Sequence, residues 1–184
     1  MKYKLIGTNG GIRHFIIVFD TGDEAVAGLV RFAAEQQVSH ATFHGLGAFE
    51  RATIAYFNLS TNEYEKTPID EQVEVMSLIG NIALLDGKPK LHAHVVVGKR
   101  DLTAHGGHLM EGHVRPTLEV SLTAFDQNVV RTTDAATTLP LCIGTGVTTK
   151  GSGETRRHWS TRGWTRSSAP CRSMSCCSPV TGRS

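Results

Sequence analysis

Leu91-His92-Ala93-His94-Val95-Val96-Val97 reads as a strand. Apolar and β-branched residues dominate it. Alternation sends His92, His94 and Val96 to one face and Leu91, Ala93, Val95 and Val97 to the other. Just before it, Asp86-Gly87-Lys88-Pro89 has turn chemistry, and Val73 to Leu85 is a second long strand-like run. The two runs predict a hairpin. Two imidazoles on one strand face need partners, because an unpaired polar ring on a buried surface is costly.

Working outward, Ile12-Arg13-His14-Phe15-Ile16-Ile17-Val18-Phe19 is β-branched and aromatic and predicts another strand, ending at Asp20-Thr21-Gly22-Asp23. Those polar residues can cap a helix from about Glu24 to Gln37. Within it Ala25, Val26, Leu29, Val30, Phe32 and Ala33 approximate helical spacing. The runs Val38 to Gly45, Ala52 to Leu59, Glu63 to Ile69 and Thr117 to Phe125 add further strands. Many strands, short turns and one early helix predict an α+β fold, an antiparallel, partly barrel-like sheet with one main helix packed on it. The sequence has no internal repeat.

The chain has 184 residues, 40% hydrophobic and 20% charged, which suits one globular domain with a real core. Its formal net charge of +2 hides a split. Residues 1–143 carry 12 Lys and Arg against 16 Asp and Glu, whereas residues 144–184 carry 7 against 1. From Gly144 onward 15 of 41 residues are Ser or Thr, hydrophobic periodicity stops, and Cys171, Cys176 and Cys177 appear. The expected organisation is a domain at 1–143 and a basic tail at 144–184 that is disordered or aberrant. No apolar run approaches the ~20 residues of a membrane span, and the first residues lack a hydrophobic leader. The expected location is the cytoplasm.

Five of the nine histidines fall between residues 92 and 113. Imidazole is the commonest metal-binding side chain, and His92 with His94 supplies two nitrogens from one face. A third could come from His105 or His108, on either side of Gly106-Gly107, whose glycines permit a turn and close approach. Three such ligands would leave one position open on a zinc-like ion. Glu111 and His113 alternate on a strand-like run and read as a hydrogen bond behind the ligands or at an interface, not as ligands themselves. His14, His40 and His44 stand alone in strand-like text and read as structural. His44-Gly45-Leu46-Gly47-Ala48-Phe49 fits either a pocket wall or a bulge.

Five motifs occur in order: Gly45-Leu46-Gly47-Ala48-Phe49, Gly80-Asn81-Ile82, Leu91-His92-Ala93-His94-Val95, Gly106-Gly107-His108-Leu109 and Pro116-Thr117-Leu118-Glu119-Val120. Together, over roughly residues 3–141, they resemble the PPC domain family of bacteria and archaea. The resemblance implies an α+β fold with an antiparallel sheet, a homotrimer, and structural kinship to acetolactate decarboxylase. In that enzyme zinc is held by an H-x-H pair and the histidine of a following G-G-H. Carried over, the ligands of Zn2+ fall on His92, His94 and His108, which selects His108 over His105. Plant members of the family carry AT-hooks, whose Arg-Gly-Arg-Pro core enters the DNA minor groove. This chain has Thr161-Arg162-Gly163-Trp164 in place of such a core, and its body is acidic, the wrong sign for neutralising phosphate.

Three functions compete at this level. The first is a zinc-dependent, lyase-like enzyme acting on a small oxygenated molecule, with Glu111, Glu119, Arg100 and Arg115 as nearby acid–base or carboxylate-binding groups and its catalytic residues unassigned. The second is a trimeric small-ligand module whose metal only stiffens the site. The third is a DNA-binding or regulatory protein without catalysis, its charge supplied by the tail.

Overall fold

The structure, a computed structural model, describes residues 1–142, so the expected tail at 144–184 lies outside the described residues. Nine strands and one helix follow in chain order. They are β1 (Lys2–Asn9), β2 (Ile12–Asp20), α1 (Ala25–Glu35), β3 (His40–Asn58), β4 (Glu63–Ile69), β5 (Val73–Leu85), β6 (Lys88–Gly98), β7 (Ala104–Phe125), β8 (Arg131–Thr133) and β9 (Pro140–Cys142). Seven of them form one antiparallel sheet in the order β1-β2-β7-β6-β5-β3-β4. β3 also pairs with β7, so β3, β5, β6 and β7 close a cycle. The fold is α+β, and the sheet is partly ring-like without being a barrel. β8 and β9 pair as a separate ribbon.

Two strands are longer than their hydrophobic runs. Val38 to Gly45 and Ala52 to Leu59 fuse into β3, because the glycines between them make a bulge and not a break. Register against β5 slips between Gly45 and Gly47, and a side chain at Gly47 would collide with the Thr117 carbonyl of β7. The bulge is therefore the reading of His44–Phe49 that holds. Likewise Thr117 to Phe125 is only the second half of β7. β1 carries no clear hydrophobic alternation, yet Asn9-Gly10-Gly11 signals its hairpin to β2. Gly10 (φ 54°) and Gly11 (φ 82°) both adopt the left-handed backbone that tight hairpin turns require.

The helix begins where expected but is capped differently. Glu24, not the Asp20–Asp23 segment, accepts from the backbone N–H groups of Val26 at 3.0 Å and Ala27 at 2.6 Å. The same carboxylate accepts the Gly112 N–H of β7 at 3.0 Å, which ties the start of the helix to the sheet. The inner helix face places Leu29, Phe32 and Ala33 in the core, out of contact with solvent. Phe32 meets Tyr3 and Phe15 edge to face, each with centroids 5.1 Å apart. Burying a Leu or Phe side chain in this way contributes roughly 1.5–3 kcal/mol.

β6 shows the alternation most cleanly. Ala93, Val95 and Val97 are 2%, 2% and 0% exposed, while Val96 is 40% exposed. His92, His94 and Val96 thus lie on the outward face while the core face of β6 stays wholly apolar.

Candidate metal centre

The site is built where β6 and β7 meet. His94 and His108 are direct partners across that ladder, and His92 lies one outward position back along β6. Gly106 and Gly107 do not form a turn. Both are strand residues of β7, and neither has a positive φ. What they supply is proximity. A Cβ on Gly107 would stand 2.7 Å from the Ala55 carbonyl oxygen of β3, and one on Gly106 would stand 3.2 Å from that of Val95. Bare backbone here lets β7 lie tightly between β3 and β6, and strand register then delivers His108 to His94.

Pairing between β6 and β7 covers only His94–Gly98 and Ala104–His108. From Leu109 onward β7 follows β3, while Lys88 to Ala93 of β6 are paired only with β5 among the described residues. In the opening between the diverging strands lies a cavity of about 610 Å³, with His92 and His108 in its wall. A second hollow of about 310 Å³ adjoins it and includes His92, His94 and Phe43.

The three rings converge. One nitrogen from each lies within 4.8 Å of the others, and ring centroids are 5.1 Å apart for His92–His94, 5.1 Å for His92–His108 and 5.4 Å for His94–His108. The Nε2 atoms of His92 and His94 are 3.2 Å apart. Two nitrogens bound to one tetrahedral zinc at ~2.0–2.1 Å are separated by about 3.3–3.4 Å. The closest pair already has that spacing.

Protonation favours the same chemistry. Burial pushes the His108 imidazolium down to about 4, helped by repulsion from His92, His94 and Lys90. Burial also lowers His92, with Arg131 and His94 adding repulsion. Near neutral pH these two rings are uncharged and offer lone pairs, as metal ligands must. Tyr64 of β4 tilts over His108 with centroids 4.9 Å apart, and burial raises its hydroxyl pKa.

The remaining histidines and charges stand elsewhere. His105 is exposed beside the Thr103 hydroxyl at 3.4 Å. His113 pairs with Glu111 at 2.5 Å and touches Arg51 at 3.3 Å. His14 meets the Thr123 hydroxyl at 3.1 Å, His40 stacks on Phe125 at 4.9 Å, and His44 is exposed on β3. Arg115 contacts Glu50 at 3.7 Å, Arg100 occupies an exposed turn, and Glu119 is exposed on β7. None of Glu111, Glu119, Arg100 and Arg115 lines either cavity.

Asn81, Lys90 and Arg131 do line the larger cavity, and sequence reasoning passed over all three as site residues. Asn81 sits within a quoted motif, whereas Arg131 is a lone arginine after the last long strand with no local pattern to mark it. The segment that follows β7 returns along β5, where the Leu84 N–H donates to the Val129 carbonyl at 2.8 Å. That path buries Arg131, which donates from Nη1 to the Pro140 carbonyl at 3.0 Å and from Nη2 to the Asn81 side-chain oxygen.

With this geometry in place, the comparisons with known proteins are specific. The sequence profile of the Plants and Prokaryotes Conserved (PCC) domain matches residues 7–126. A plant- and prokaryote-conserved (PPC) protein of Pyrococcus horikoshii is 29% identical with a TM-score of 0.66, over 74% of this chain and 92% of that one. A metal-containing protein of Archaeoglobus fulgidus is also 29% identical, with a TM-score of 0.67 over 77% of this chain and 96% of that one. A Bacteroides thetaiotaomicron protein, provisionally named as DNA-binding, is 27% identical with a TM-score of 0.69, over 74% and 94% of the two chains. A Staphylococcus aureus protein similar to alpha-acetolactate decarboxylase reaches only 12% identity and a TM-score of 0.46, too distant to inform the chemistry of this site. No curated protein matches the chain.

Proposed function

The chain belongs to the Plants and Prokaryotes Conserved domain family, and from that membership we propose a metal-binding domain whose ion, zinc, is held by His92, His94 and His108 beside a cavity for a small oxygenated molecule. The observation that carries this reading is the convergence of three imidazole nitrogens within 4.8 Å of one another. The donor set suits zinc. It is three imidazole nitrogens with no carboxylate among them, a set that would leave a coordination position for an oxygen of the ligand. A bound ion there would polarise an oxygen of the ligand. The chain's own residues provide the rest. His92 and His108 form one wall, Asn81 offers an amide, and Tyr64 holds the His108 ring in place. The metal-containing relative from Archaeoglobus fulgidus supports the metal, although its name does not say which.

Assembly as a homotrimer in the cytoplasm belongs to the same proposal. Leu46, Met76, Ile79 and Val96 are exposed on β3, β5 and β6, on strands that carry or flank the histidines. Exposed apolar side chains grouped on a sheet are a common ground for subunit contact. Among the described residues no helix is long and apolar enough to cross a membrane.

Metal analysis of purified protein, paired with its native mass, tests the reading. We expect about one zinc per protomer and a mass of three protomers. Protein exposed to excess zinc that still carries no metal would remove the centre and any chemistry built on it. The competing function, DNA binding, rests on the provisional name of the Bacteroides relative and is opposed by the acidic body. Deleting residues 144–184 and following duplex affinity against salt separates the tail's contribution.

A further inference from the structure

We infer that Arg131 makes the larger cavity a receptor for a small carboxylate, anchored by its guanidinium next to the three histidines. The inference deepens the proposed metal site and takes from it only the position of the ligand's other end.

Arg131 is 5% exposed, the one polar or charged residue among the described residues to be buried so completely. An arginine buried this far is normally answered by a carboxylate. Among the described residues its partners are two neutral oxygens, the Pro140 carbonyl and the Asn81 amide, and its Nε has none. A guanidinium has five N–H groups, so two bonds leave three unspent. Lys90 adds a second cation to the same wall, and among the described residues no Asp or Glu lines the cavity. A body that is acidic overall therefore encloses a cationic hollow with room for a small molecule. The planar fork of arginine matches a carboxylate in two parallel hydrogen bonds, which a lone ammonium cannot do. Arg131 and the ribbon residues Leu139 to Cys142 that share this wall all lie past residue 126, the last matched to the family profile.

The test uses the full chain, zinc-loaded and chelated, with acetate, lactate, pyruvate and succinate, each set against its neutral amide. Calorimetry should show at least one acid binding saturably and at least tenfold tighter than its amide. Arg131→Gln should cut that affinity at least tenfold while zinc content stays unchanged. In unaltered protein, the Arg131 Nε–H resonance should move with the acid and stay fixed with the amide, which covers the case in which Arg131→Gln fails to fold. Equal binding of acids and amides, affinity unaffected by Arg131→Gln, or a stationary Nε–H resonance overturns the inference, as does failure of every acid to bind. Carboxylate binding that persists in protein unable to hold zinc would sink the metal reading and leave this one standing.

Discussion

His94 and His108 face each other across the β6–β7 ladder with ring centroids 5.4 Å apart, and it is β7's contact with β3 that sets this distance. If the pair binds zinc together with His92, the three rings are not interchangeable with other nearby histidines. His108→Ala should lower zinc affinity by more than the ~10–100-fold that loss of an outer-sphere partner costs. His105→Ala, altering an exposed ring three residues away, should leave it unchanged. Chelator competition on both variants decides the matter, and equal effects would refute the assignment of His108.

Gly107→Ala should damage the fold and the site at once. The added methyl would meet the Ala55 carbonyl oxygen at 2.7 Å, and backbone cannot yield as a side chain tip can. Overpacking of this kind costs about 1–3 kcal/mol, read as a lower urea midpoint. Zinc affinity should fall in the folded variant too, because His108 follows directly. Unaltered stability would mean that the two strands are less closely apposed than described.

Glu24→Ala removes a helix cap and also orphans the Gly112 N–H in the sheet. A cap alone is worth ~0.5–2 kcal/mol, so the loss should reach or pass the top of that range. Glu24→Asp, which keeps the charge but shortens the reach, should recover part of it. Thermal melts of the three proteins provide the comparison.

Acid should weaken the metal-free protein through His108. The folded ring titrates at about 4, below its ordinary value of 6.5. Between those values the unfolded chain takes up a proton that the folded ring refuses, so stability falls as pH drops from 6.5 towards 4. Above pH 6.5 this residue adds no pH dependence. His92, also lowered, acts in the same direction. In chelated protein, His108→Asn should flatten the slope of urea stability against pH over that window. An unaltered slope would show that His108 does not carry the effect.

Much of the fold was legible because strand alternation is a local property. β4 and β5 begin and end where their strand-like runs do, and β6 sorts its faces as Leu91–Val97 requires. The convergence of His92, His94 and His108 was legible in part. Spacing puts the first two on one face, but residues alone left His105 and His108 open. Register across β6 and β7 separates them, and register is set by glycines whose close approach looks like a turn in sequence. Arg131 was illegible for a related reason. Its burial comes from the return of a segment along β5, a long-range packing event that leaves no periodicity behind.

The ribbon formed by β8 and β9 gives the molecule a division of labour. The histidine ladder stands on the closed cycle of strands, on the face turned away from its apolar core. The opposite wall comes from a short peripheral appendage, joined to the cycle through a few bonds to β5. Substitutions in that appendage can reshape one side of the cavity while the cycle of strands that carries the histidines stays as it is.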